Sequence, residues 1–177
     1  MRDGGILEVL LKGFVYLLIQ FFVLSEIPPL FGVAQAWFFI ALIITLPANV
    51  PRIQLLFIAF FYGLIVDVFN NTLGMHAACT VLVAFLKPFF LKIFASQTPT
   101  SSNTDTETLT IRTNGLSWFL MYAGSLVFIY QFAFYFIDST GFSWFGFTVQ
   151  KIVLSTLFTL VVMVILQYAI YPSRSKR

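Results

Sequence analysis

The stretch Phe60-Phe61-Tyr62-Gly63-Leu64-Ile65-Val66-Asp67-Val68-Phe69-Asn70-Asn71-Thr72-Leu73-Gly74-Met75-His76-Ala77-Ala78 decides the fold. Apolar side chains dominate both ends, one carboxylate interrupts the first, and a short polar turn closing on Gly74 separates them. The run before the turn reaches back to Ile53, and the run after it continues to Ala95. Runs of about 17–25 apolar residues match the hydrocarbon thickness of a bilayer. The pattern predicts two membrane helices joined by a tight turn, over 53–69 and 75–95, with a kink at Pro88 in the second.

Working outward, the same pattern recurs. A first span is expected over Gly13–Leu24, extendable back to Ile6, before Glu26-Ile27-Pro28-Pro29 breaks it. Arg2 and Lys12 ahead of this run and Ala34-Gln35-Ala36 behind it resemble a secretory leader. The long gap between them, holding Glu26 and two prolines, fits a first span better. A second span is expected over Leu30–Leu46, stopped by Pro47 and Pro51. A fifth runs over Gly115–Ile137 to the turn Asp138-Ser139-Thr140-Gly141, and a sixth over Phe147–Tyr171 to Pro172. Residues 96–114 are polar and low in complexity, and read as a flexible cytoplasmic linker between spans four and five. The expected fold class is all-α: a polytopic six-transmembrane-helix bundle, with residues 1–177 as one membrane domain.

Composition points the same way. Hydrophobic residues make up 59% of the chain and charged residues 10%, where a soluble domain has about 25% charged. The net charge of +3 comes with no basic stripe, so nucleic acid is not an expected partner; membrane lipids are. The single cysteine, Cys79, excludes an internal disulfide or a cysteine metal cluster, and the single histidine, His76, excludes a multi-histidine site. There is no glycine-rich phosphate loop, and no serine has a nearby activating base. No enzyme activity, cofactor or metal is expected.

The basic residues set an orientation. With the N-terminus inside, Arg2, Lys12, Arg52, Lys87, Lys92, Arg112, Arg174, Lys176 and Arg177 fall on the inner side, nine of the ten Lys and Arg residues. Lys151 is the tenth, one turn into the sixth span, where its stem can reach the outer surface. This positive-inside pattern places both termini in the cytoplasm. Trp118, Trp144 and several tyrosines near span ends read as interfacial aromatics.

Asp67 is the most informative side chain, because a carboxylate in an apolar helix costs insertion energy. With Asn70, Asn71, Thr72 and His76 it can form one polar cluster at the outer face. The cluster reads as a hydrated turn with Asn71 or Thr72 capping the next helix, as a contact site for a partner protein, or as a ligand or proton site. The cost of Asp67 favours a role in partner binding over one in folding. Lys87 reads as snorkelling to the inner headgroups or as one half of a buried structural pair. Ala77, Thr80 and Ala84, and likewise Ala123, Gly124 and Ser125, allow close helix packing.

The residues from Leu46-Pro47 and Pro51-Arg52 through Gly63-Leu64, Asp67, Gly74, His76-Ala77 and Lys87-Pro88 resemble the rod shape-determining MreD family of bacteria. The match covers roughly 46 to 92, and its motif positions are Gly63, Asp67, Gly74, His76, Lys87 and Pro88. The resemblance implies a non-enzymatic subunit of the cell-elongation, peptidoglycan-synthesising complex in the cytoplasmic membrane. The implied partners are MreC and, through it, MreB, a RodA-type glycosyltransferase and a penicillin-binding transpeptidase. The alternative is the substrate-binding membrane subunit of an energy-coupling-factor type vitamin or metal transporter, which needs polar groups converging on an outward-facing pocket.

Overall fold

The structure is a computed structural model that describes residues 3–29, 32–94, 108–138 and 145–170. Its regular elements are helical: α1 (Asp3–Leu18), α2 (Ala41–Thr45), α3 (Arg52–Asn70), α4 (Met75–Phe94), α5 (Ile111–Asn114), α6 (Leu116–Asp138) and α7 (Phe145–Ile170). α3, α4, α6 and most of α7 (Gly146–Ala169) are long and apolar enough to cross a membrane. α4 lies at the centre, packed against α3 on one side and α6 on the other, and α7 packs on α6. Large apolar side chains also point outward, Phe57, Phe61, Phe85, Phe128, Leu157 and Ile165 among them, as they do when the surroundings are lipid.

The spans over 53–69 and 75–95 form as expected. α3 starts after Pro51, whose extended backbone serves as N-cap, and ends where Asn71 turns left-handed at φ 53°. α4 runs through Pro88 to Phe94 without interruption. The first span is also helical, but it changes pitch: α1 continues as a π-helix over Ile19–Leu24, closed by the Ser25 N–H on the Gln20 carbonyl at 3.0 Å.

The second expected span differs. Among the described residues of Leu30–Leu46, only Phe38–Ile40 (a 3-10 turn) and α2 are helical, and residues 35–37 belong to no regular element. Phe38 through Ile44 are nonetheless among the most buried residues of the chain. The segment is therefore a discontinuous strap inside the bundle. Its Trp37 end sits beside His76 at the start of α4, ring centroids 4.4 Å apart. Its Leu46 end sits on Lys87, well along α4. Hydropathy misreads it because a buried irregular strap is as apolar as a buried helix.

Non-helical backbone at such depth is tolerated only where protein satisfies its polar groups, and here it does so at both ends. The N–H groups of Gln35 and Trp37 donate to Ser155 Oγ (3.1 Å) and Thr159 Oγ1 (3.2 Å) on α7. Those of Phe38 and Phe39 donate to Gln20 Oε1 at 2.8 and 3.3 Å, while Gln20 Nε2 donates back to the Ala36 carbonyl at 3.1 Å. At the far end, Lys87 Nζ donates to the carbonyls of Ile43 (3.0 Å) and Leu46 (2.6 Å). Tyr122 Oη donates to that of Ile44 at 3.2 Å and the Leu109 N–H to that of Thr45 at 3.0 Å. The last four carbonyls, which a helix end leaves open, each have a tertiary donor.

Three further expectations are corrected here. Lys87 does not snorkel: it is 2% exposed and its ammonium is spent on the strap. Trp118 is turned inward, its indole N–H donating to the Phe94 carbonyl at 3.0 Å; Trp144 lies outside the described residues. The linker expected over 96–114 divides. Its start, through residue 107, is outside the described residues, while 108–114 belong to the fold: α5 opens with a Thr110–Thr113 capping box, and the Ile111 N–H donates to Gln167 Oε1 on α7 at 2.9 Å.

Candidate functional site

The corner between α3 and α4 carries most of the motif. Gly63 makes the helices meet closely. A Cβ at that position would stand 2.6 Å from the Ala77 Cα and closer still to Thr80 Oγ1. Ala77, Thr80 and Ala84 are buried, so this row of small residues serves packing within the bundle. Ala123 is buried too, and Gly124 faces Leu160 of α7 at ordinary contact distance.

Asp67 is one turn before the end of α3 and 3% exposed. Its Oδ1 accepts from Thr72 Oγ1 (2.5 Å) and from the His76 N–H (2.9 Å), and its Oδ2 accepts from the Ala77 N–H (2.8 Å). The carboxylate thus caps the N-terminus of α4 from the preceding helix, where open N–H groups and the helix dipole both favour an anion. Gly74, at φ +81°, supplies the turn that brings α4 back under Asp67. The capping expected of Asn71 or Thr72 falls to Asp67, with Thr72 as a third donor.

The other cluster members take different roles around this cap. Asn71 ends the helix in a left-handed conformation and is exposed, and it borders the same surface recess as Asp67 and Thr72. Asn70 folds its amide back onto the Val66 carbonyl at 2.9 Å. His76 is fully buried. Its ring lies between Trp37 and Phe134, at centroid distances of 4.4 and 4.6 Å. Its Nδ1 shares a 2.5 Å hydrogen bond with Tyr130 Oη, and its Nε2 has no partner among the described residues.

Two surface features flank this framework. A groove of about 460 Å³ runs between α1 and α3, with Leu42 and Leu46 of the strap among its lining residues, and its described lining is otherwise apolar apart from Tyr62. Tyr62 Oη donates to the Gly13 carbonyl at 3.1 Å and ties the two helices across it. A second, polar cavity of about 370 Å³ opens beside the α3–α4 turn, and Asn70, Thr72 and His76 meet Asp138 of α6 and Lys151 of α7 there. The sequence pattern places the first three together. It gives no sign of Asp138 and Lys151, which lie far along the chain.

The arrangement defines a multi-pass helical membrane protein whose buried polar side chains are mostly consumed in holding its own backbone. No protein-family model matches the chain, and neither does a curated protein or a solved structure.

Proposed function

We propose that this chain is a non-enzymatic subunit of the bacterial cell-elongation machinery, of the MreD type, seated in the cytoplasmic membrane and acting by binding partner membrane proteins such as MreC. The observation that carries the reading is the connectedness of the motif positions. Gly63, Asp67, Gly74 and His76 build one helix corner, while Lys87, next to Pro88, fastens the strap to the same helix. A motif resemblance over 46 to 92 therefore coincides with one physical unit. The apolar groove between α1 and α3 is a seat for a partner's membrane helix, since van der Waals packing rather than polar contact drives such association.

The proposed topology has six crossings with both ends cytoplasmic. The apolar part of α1 with its π-helical end runs over Val9–Leu24, about 24 Å at 1.5 Å per residue, and we assign it one crossing. α3, α4, α6 and α7 supply four more, and the strap supplies the sixth. The charge asymmetry supports the orientation.

The reading is tested by purification from native membranes, with a photoreactive residue at Phe61 in the groove or at Phe128 on α6. MreC should co-purify and should crosslink from position 61. An ATPase module coming down instead would favour the transporter reading, and recovery of neither would overturn the assignment. Crosslinking from position 128 alone would move the seat but leave the function standing. In a Cys79→Ala background, cysteines placed at Ser102 and Thr140 should label from the inner and outer sides respectively.

A further inference from the structure

The polar cavity beside the α3–α4 turn is not used by anything above. Asp138 closes α6 and is exposed; Lys151 is on the second turn of α7 and half-buried. Both line the cavity. No hydrogen bond or ion pair consumes either of them among the described residues. Lys151 Nζ stands 5.1 Å from the Phe147 ring centroid and 5.9 Å from that of Tyr135. The deepest lining residues are His76, Trp37 and Phe134, which form a packed aromatic floor.

We propose that this cavity binds a small zwitterion bearing a primary ammonium and an anionic group, the ammonium paired with Asp138 and the anion with Lys151, its body lying over the Trp37–Phe134 floor. Three observations converge on it. Two opposite charges line one cavity, and a ligand carrying both signs satisfies both of them. The floor is aromatic, which suits a cation nearby and a flat or short body above it. The volume, about 370 Å³, falls in the range of small-molecule sites, roughly 300–1,000 Å³. The strap explains why the site persists in an otherwise apolar bundle. Trp37 is fixed by its N–H on Thr159, and Tyr135 by its hydroxyl on Ser155, so the walls are held before any ligand arrives. The same chemistry is offered by a free amino acid and by the phosphoethanolamine headgroup of a membrane lipid.

The test uses the full chain in detergent stripped of phospholipid. Thermal unfolding is followed with free L-tryptophan, with free phosphoethanolamine, and with solubilised phosphatidylethanolamine, against ethanolamine alone and phosphate alone. At least one zwitterion should raise the melting temperature in a saturable way, and neither half-ligand should do so at equal concentration. A response to L-tryptophan identifies a free metabolite. A response to phosphatidylethanolamine, shared with phosphoethanolamine or exceeding it, identifies the lipid. Lys151→Met and Asp138→Asn should keep the ligand-free melting temperature and weaken the binding about tenfold each, as loss of one charge-assisted contact does. The proposal is overturned if no zwitterion stabilises the chain, if a half-ligand does as well, or if both variants bind unchanged.

Discussion

Asp67 and His76 are joined through the backbone: Asp67 Oδ1 accepts the His76 N–H at 2.9 Å, while the His76 imidazole points away, toward Tyr130. The pair is a cap and its helix, and the charge of Asp67 is directed at α4 instead of at a partner.

Replacing Asp67 with Leu should therefore cost the fold itself. It leaves the N–H groups of His76 and Ala77 buried without acceptors, at about 1–3 kcal/mol each. Asp67→Asn keeps one amide oxygen as acceptor and should lose about half as much. Chemical denaturation in mixed micelles reads both. Equal stability of Asp67→Leu and the parent, with lost MreC recovery, would restore the partner-contact reading.

Gly63→Ala should destabilise by about 1–3 kcal/mol through overpacking. The added methyl meets the Ala77 backbone, which cannot move aside as a side chain end can. Gly63→Leu should abolish the folded state, seen as loss of a monodisperse peak in fluorescence-detected size exclusion. A stable Gly63→Leu protein would mean that α3 and α4 do not touch here.

Lys87→Met matches the stem but removes the donor. A snorkelling lysine would tolerate it; the strap-bound one should not, because two carbonyls lose their cap. The expected cost is about 2–4 kcal/mol, read as a fall in melting temperature in detergent. A neutral Lys87→Met would return the ammonium to the membrane surface.

Gln20→Leu should cost about 2–4 kcal/mol, since one amide serves Ala36, Phe38 and Phe39 together. Thr159→Val removes one acceptor from the strap and should cost less. A double variant costing no more than Gln20→Leu alone would indicate that the strap end has already come loose.

The α3–α4 corner was legible in the sequence because its contacts are local. Asp67, Thr72, His76 and Ala77 lie within a short stretch of chain, and a lone carboxylate in an apolar run marks its own importance. The strap was not legible, because composition cannot separate a buried irregular segment from a buried helix. A trace of it was present nonetheless: Gln20, Ser155 and Thr159 are polar positions inside otherwise apolar runs, and each serves strap backbone. The acceptors of Lys87 and the far wall of the polar cavity were hidden for a different reason. Ile43 and Leu46 lie more than one helix upstream of Lys87, and Asp138 and Lys151 come from helices that no local pattern ties to His76.

The strap also sets an order of assembly. Its Gln35 and Trp37 N–H groups find their acceptors 120 and 122 residues later, on the last helix. At a synthesis rate of about 5–20 residues per second, the ribosome needs roughly 6–24 s to make that stretch. During this interval the Gln35 and Trp37 N–H groups lack their acceptors, while Gln20 and then Lys87 already offer partners to the rest of the strap. Its Trp37 end is therefore only partly fastened until α7 arrives. The N-terminal half of this chain is thus completed by its C-terminal half, and a chain ending before α7 would carry its earlier helices with one end of the strap still open.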